Sequence, residues 1–351
     1  MHCGYPWASY CIPTDLSSYS FVSETSSIVS VHADQNIIFY SLPDGTIQRQ
    51  LIGFNDEITD VALLGSAQPS EHVALATNSP LIRIYSTESF DARLLAGHRD
   101  IVLSLATSSS GQMLASGAKD NSARLWAQQN NESGWGCVAI CEGHAESVGA
   151  VVFERDDVPR FLFTGSQDRT IKAWDLSGVA GDAQAPTPVR CKSVSTTRAH
   201  EKDINALDSS PGGSLLVSGS QDKTAKIWTV SHPSGMLKLL GTCKGHKRGV
   251  WSVRFARGTR ILATGSGDRT VRLWRLDDFS CLKVFEGHAN SVLRVDWIGS
   301  EQVHGKVVSA SADGLVKVWD SRTEECVATL DGHEDKVREN MILILPHTHS
   351  P

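Results

Sequence analysis

With 351 residues, 40% of them hydrophobic and 21% charged, the chain has the make-up of a globular protein with enough apolar side chains for a real core. Its formal net charge of −6 excludes a surface that is basic throughout, the usual mark of a domain that lives by gripping phosphates, though not a local basic patch. No run approaches the roughly 18 uncharged apolar residues of a membrane-spanning helix, and Met1 to Ser20 lacks the basic start and apolar stretch of a secretory leader.

In chain order, residues 1–24 match no pattern and are expected to be a disordered segment. Ile37-Ile-Phe-Tyr40 reads as a short strand ending in an aromatic residue, and Leu81-Ile-Arg-Ile-Tyr85 repeats the pattern. Between them stands Gly53-Phe54. A stronger signal then begins: Gly-His, or Ala-His once, at His98, His144, His200, His246, His288 and His333, in steps of 46, 56, 46, 42 and 45 residues. The long step contains a Gly/Ala/Pro-rich stretch, Gly178 to Pro188, expected as a surface loop.

After each of the first five histidines comes an aspartate with a tryptophan six residues on: Asp120/Trp126, Asp168/Trp174, Asp222/Trp228, Asp268/Trp274 and Asp313/Trp319. Four residues before each aspartate stands a hydroxyl, from Ser116, Thr164, Ser218, Thr264 and Ser309. Segments such as Val271-Arg-Leu-Trp274 are short and apolar, with Asp and Gly at the turns between them, while helical periodicity is nearly absent. The eight cysteines include no CxxC pair, and Cys137 and Cys141 have no second Cys/His pair at zinc-ligand spacing. They are expected to be reduced strand cysteines in a reducing compartment, with no metal and no cofactor.

The Gly-His, Ser/Thr, Asp and Trp markers resemble the WD-repeat family. That resemblance implies an all-β fold, a WD-repeat β-propeller of four-stranded antiparallel blades over residues 25–337. It also implies that each aspartate orients its histidine, which reaches the strand hydroxyl, which bonds the indole N–H. Histidine with serine and aspartate also suggests a hydrolase triad, but five copies at matched offsets argue for scaffolding, since an enzyme needs one site. Counting terminal aromatics gives seven: Tyr40, Tyr85, Trp126, Trp174, Trp228, Trp274 and Trp319.

Narrower features go beyond the generic repeat, among them Gly97-His-Arg-Asp-Ile-Val-Leu103, Asp203-Ile-Asn-Ala-Leu207, Leu282-Lys-Val-Phe-Glu-Gly-His288 and Leu330-Asp-Gly-His-Glu-Asp-Lys-Val337. These resemble the second propeller of the transducin-beta-like family of U3 small nucleolar RNA-associated WD-repeat proteins. The resemblance implies a non-enzymatic scaffold of the small-subunit processome, supporting pre-rRNA processing and 40S ribosome biogenesis in the nucleolus of the nucleus. The implied partners are other processome proteins, the U3 small nucleolar ribonucleoprotein and pre-rRNA, with any RNA contact indirect or local, and neither a membrane nor a small-molecule substrate. A WD-repeat adaptor of another complex, such as a ubiquitin ligase substrate receptor or a signalling hub, is the alternative.

Two readings of the ring follow. Either the Tyr40 unit closes seven blades, or residues 25–57 belong elsewhere and six blades stand with a partial one. The open form would leave an unsatisfied apolar end and make the chain marginally stable. Residues 338–351 read as an aberrant or truncated tail, and His333 has no later Asp or Trp to partner. Family geometry assigns the partner face to positions three and five after each histidine and to the residue before each turn aspartate. Here those and the adjacent basic cluster give Lys119, Gln167, Asp203, Asn205, Gln221, Lys247, Arg248 and Trp251. Trp251 is either an exposed anchor or part of the central channel wall. The cluster of Lys244, Lys247 and Arg248, with Arg254 and Arg257 further along, is either a phosphate contact or ordinary solvated charge.

Overall fold

In the computed structural model of the chain, the described residues are 26–31, 36–42, 47–52, 57–65, 72–86, 91–128, 134–156, 158–179, 187–298, 305–330 and 339–341, with side chains described from residue 57 to residue 329 except Ile298. The segments 1–24 and 342–351, the Gly53-Phe54 and His333 units, and the middle of the 178–188 loop lie outside the described residues.

Every described element is a strand. The short β-branched and aromatic runs end at Asp, Asn or Gly turns, so each strand pairs antiparallel with the next and four strands make a blade. Blade one is Ile58–Leu64, His72–Thr77, Ile82–Ser86 and Ala92–Leu95. Blade two is Val102–Thr107, Met113–Ala118, Ser122–Gln128 and Trp135–Glu142, with Val189–Arg190 added in parallel on its outer edge. Blade three is Val148–Phe153, Phe161–Ser166, Thr170–Asp175 and Ser193–Arg198. Blade four is Ile204–Ser209, Leu215–Ser220, Thr224–Ser231 and Met236–Lys244. Blade five is Val250–Phe255, Ile261–Ser266, Thr270–Arg275 and Cys281–Glu286; blade six is Val292–Ile298, Lys306–Ser311, Val316–Asp320 and Cys326–Leu330.

A seventh, partial sheet takes its inner strand from the far end of the chain: Glu339–Met341 pairs antiparallel with Ser26–Val31, which is followed by Asn36–Leu42 and Ile47–Ile52. The inner strands touch one another in ring order, and Glu339–Met341 meets both Val292–Ile298 and Ile58–Leu64. The chain is thus a propeller of six full blades and one thin sheet.

Two register breaks recur. Between the third and fourth strands a bulge falls just before Trp126, Trp174, Trp228, Trp274 and Trp319, and in the seventh sheet just before Tyr40. In the innermost strands a second bulge extrudes one residue each, Thr59, Leu103, Gly149, Asn205, Trp251 and Leu293. Bulges re-aim side chains, and these six line the central channel.

The core lies in the seams. Trp274 is buried with Val217, Ile227, Phe255 and Leu262, facing the preceding blade, and each of the other four tryptophans lies in the equivalent seam. In blades two to five the close approach needs glycine beside the hydroxyl, whereas in blade six Ala310 follows Ser309. A Cβ on Gly219 would stand 2.8 Å from Val253 Cγ1 and 2.9 Å from Val250 Cγ1, and Gly117, Gly165 and Gly265 face the next blade in the same way. Gly219→Ala is expected to cost about 1–3 kcal/mol through overpacking. Urea unfolding checks this, and an unchanged midpoint would mean that the seam yields freely.

Candidate interaction face and central channel

Each blade from two to six carries a four-residue polar chain linking its ends. Histidine Nδ1 lies 2.8–3.0 Å from the aspartate Oδ2 in the pairs His98/Asp120, His144/Asp168, His200/Asp222, His246/Asp268 and His288/Asp313. The opposite ring nitrogen, Nε2, is 2.7–2.8 Å from the hydroxyl of Ser116, Thr164, Ser218, Thr264 or Ser309. The indole N–H of Trp126, Trp174, Trp228, Trp274 or Trp319 donates to that same oxygen at 2.7–2.9 Å. The donor balance assigns the proton to Nδ1: indole N–H to hydroxyl, hydroxyl O–H to Nε2, Nδ1–H to carboxylate.

The carboxylate is saturated at the other end. Its Oδ2 also accepts the backbone N–H after the histidine, as from Lys247 at 2.8 Å, and its Oδ1 accepts the N–H and the hydroxyl two residues on, as from Thr270 at 3.1 and 2.7 Å. Blade six has Leu315 in that place and so lacks the hydroxyl bond. Burial pushes these carboxyls up. The hydrogen bonds from the histidine, the turn hydroxyl and the backbone outweigh it in Asp120, Asp168, Asp222 and Asp268 and hold them well below the usual range. Asp313 is lowered with backbone and His288 bonds alone. His288 is itself pushed down by burial, against the pull of Asp313.

The pH dependence follows. A carboxyl held below its unfolded value of 3.8 stabilises the fold fully above that value and loses its contribution as the pH falls below it. A histidine pushed below 6.5 favours the neutral ring, so its contribution is lost as the pH falls below 6.5. The melting temperature should decline gently below pH 6.5 and steeply below pH 3.8. A flat profile down to pH 3 in circular dichroism would contradict this.

The five hydroxyls are fully buried, so no substrate reaches them, and all the polar atoms of a triad are spent inside the blade. The arrangement fixes loops; it does not present a nucleophile. Loops held in this way are where binding residues gather.

The structure divides the sequence-derived face residues into two groups. Gln167, Asn205 and Trp251 line the mouth of a central channel of about 770 Å³. Trp251 is 37% exposed, with its indole nitrogen 3.1 Å from where a Cβ on Gly267 would stand. Asn205 spends one amide N–H on the Val250 carbonyl at 2.8 Å. Lys119, Lys247 and Arg248 stand exposed on the surrounding rim, whereas Asp203 and Gln221 are half-buried and joined by a Gln221 N–H to Asp203 carbonyl bond of 3.0 Å.

Two sets of residues escaped the sequence reading. The turn position after the aspartate is left-handed in every blade from two to six, at Asn121, Arg169, Lys223, Arg269 and Gly314, with φ of 65, 71, 74, 71 and 85°. Arg169, Lys223 and Arg269 are exposed and extend the basic sector of Lys247 and Arg248 across blades three to five. Deeper in the channel, partly exposed arginines pair with buried carboxylates. Asp208 accepts Arg155 at 3.1 Å, Arg254 at 3.4 Å and the Phe255 N–H at 2.8 Å. Asp60 accepts the Leu105 N–H at 2.7 Å and, from blade six, Arg294 at 3.3 Å. The recurring cation after the turn aspartate was a readable signal; the channel pairs, which join charges from different blades, were not.

Comparison with known proteins agrees with this architecture. Human transducin beta-like protein 3 is 40% identical over 232 residues, covering 65% of this chain and 28% of that protein. The U3 small nucleolar RNA-associated protein 13 of Saccharomyces cerevisiae is 39% identical over 174 residues, 46% of this chain and 21% of that protein. The ribosome biogenesis protein WDR12 homolog of Oryza sativa subsp. japonica is 23% identical over 322 residues, 82% of this chain and 60% of that protein. The chain therefore spans little more than a quarter of the length of the transducin beta-like proteins it matches. The WD domain, G-beta repeat family matches residues 91–127, 135–175, 191–229, 237–275 and 279–320, and with its repeating polar chains and its blades this chain belongs to the WD-repeat family.

Proposed function

We propose that the chain is a non-enzymatic scaffold of ribosome biogenesis acting within the nucleolar small-subunit processome, in company with the U3 small nucleolar ribonucleoprotein and pre-rRNA. The observation that carries this reading is the similarity to the transducin beta-like proteins and to a yeast protein named for its association with U3 small nucleolar RNA. The face supplies means suited to the task. Trp251 offers an amphipathic aromatic anchor of the kind that dominates interfaces. The exposed cations Arg169, Lys223, Lys247, Arg248 and Arg269 give a local sector able to meet phosphates or acidic side chains on a chain whose net charge is −6. The role as a scaffold rests on rigid blades holding such loops still.

Affinity capture of the endogenous protein through an internal tag tests this. Enrichment of U3 small nucleolar RNA and pre-rRNA together with other processome proteins is the expected result. Recovery of ubiquitin-ligase or signalling subunits instead, with no RNA enrichment over a control WD-repeat protein, would sink the proposal.

A further inference from the structure

Outside the face and the channel, one group of nucleophilic side chains is placed by the fold rather than by the repeat. After Thr170–Asp175 the chain does not turn directly into the outer strand of blade three. It first passes along blade two, where Val189 and Arg190 pair in parallel with Ala139 and Ile140 of Trp135–Glu142. The next position of that register sets Cys191 beside Cys141, and the Cys191 N–H donates to the Ile140 carbonyl at 2.9 Å. Neighbouring strands lie about 4.8 Å apart, within the roughly 4.4–6.8 Å Cα separation that a disulfide spans.

The side chains share a face. Cys141 is fully buried in the seam between blades two and three, with Ala139, Val151 and Trp174, and Val189 and Cys191 pack against the same cluster. Arg190, between them, points away to Glu142. Cys137 turns to the other seam and packs beside Trp126 and Trp135.

We propose that Cys141 and Cys191 are a redox-responsive thiol pair whose disulfide staples the strand returning into blade three to the outer edge of blade two. The oxidant is hydrogen peroxide. Cys191, half-buried and reachable, attacks the peroxide as thiolate; an S–O bond forms, the O–O bond breaks, and water leaves after protonation. The sulfur of Cys141 then attacks the sulfenic sulfur, the S–S bond forms, the S–O bond breaks, and a second water leaves with the proton of Cys141. Two thiols lose two electrons and the peroxide becomes two waters.

The electrostatics suit these roles. The hydrogen bond with Cys141 pulls the Cys191 thiol below its ordinary value, against burial and the charge of Asp175. That bond, with burial, holds Cys141 well above it. A low-lying, accessible thiol beside a resolving thiol is the arrangement that oxidises reversibly. Cys243, pushed up to about 12 by burial, is built to stay inert.

The test titrates the full chain with hydrogen peroxide, alkylates the remaining thiols and quantifies peptides by mass spectrometry. The peptide linking Cys141 to Cys191 should exceed any other cysteine pair by about tenfold and vanish with dithiothreitol. Cys191→Ser should abolish it; in Cys141→Ser, dimedone should trap Cys191 as sulfenic acid, with both variants checked for native circular dichroism. Cys191 paired with Cys137 instead, or left fully alkylatable while the exposed Cys281 and Cys326 oxidise, would overturn the proposal.

Discussion

Replacing Trp274 by alanine lowers the unfolding free energy by about 3–5 kcal/mol. The side chain is 1% exposed, and its removal leaves a cavity between blades four and five among Val217, Ile227, Phe255 and Leu262. It also strips the Thr264 hydroxyl of its indole donor at 2.9 Å. Trp274→Phe separates the two effects. It keeps most of the apolar volume and loses the N–H, so its cost should fall nearer the roughly 1 kcal/mol of one hydrogen bond plus a smaller cavity. Urea denaturation of the two variants measures the difference. Equal costs would show that the polar chain, not packing, dominates the seam.

The second large effect is expected in the channel. Asp208 is completely buried and holds Arg155 from blade three, Arg254 and the Phe255 amide from blade five. Breaking a buried pair costs about 3–5 kcal/mol because it strands the partner charge. Here the arginine side chains are 30% and 23% exposed and can turn to channel water, so Asp208→Ala is expected to cost nearer about 2–3 kcal/mol. Asp208→Asn keeps an acceptor for the Phe255 amide and should lose roughly half of that. Raising the salt concentration should narrow the gap between wild type and Asn. A gap independent of salt would point to packing instead of charge.

What could be read in advance follows from which constraints are local. The offsets from Ser218 to Asp222 and Trp228 are set within one hairpin, where a buried hydroxyl, carboxylate and indole must find one another. A blade that keeps this polar chain must keep the spacing. Trp251 was legible only as a position; the bulge between Val250 and Ser252 that aims it into the channel has no residue signature of its own. The pairing of Asp208 with arginines on two other blades, and of Asp60 with Arg294, arises only when the ring brings distant strands together. The same holds for Glu339–Met341 beside Ser26–Val31, since three residues carry no period. Cys141 and Cys191, far apart in sequence, became neighbours because the inserted chain returns along blade two before entering blade three.

The most direct test of the scaffold account is partner recovery by a chain whose rim is altered and whose blades are intact. Lys247→Glu, Arg248→Glu and Trp251→Ala together change exposed side chains that take no part in the polar chains, and the backbone N–H that Lys247 gives to Asp268 is kept. The melting temperature of this variant should match that of the wild type, while U3 small nucleolar RNA and the co-captured proteins fall by about tenfold, as expected when an aromatic anchor and its neighbouring charges are removed. Undiminished capture by a normally folded variant would place the binding surface elsewhere on the propeller and contradict the assignment of this face.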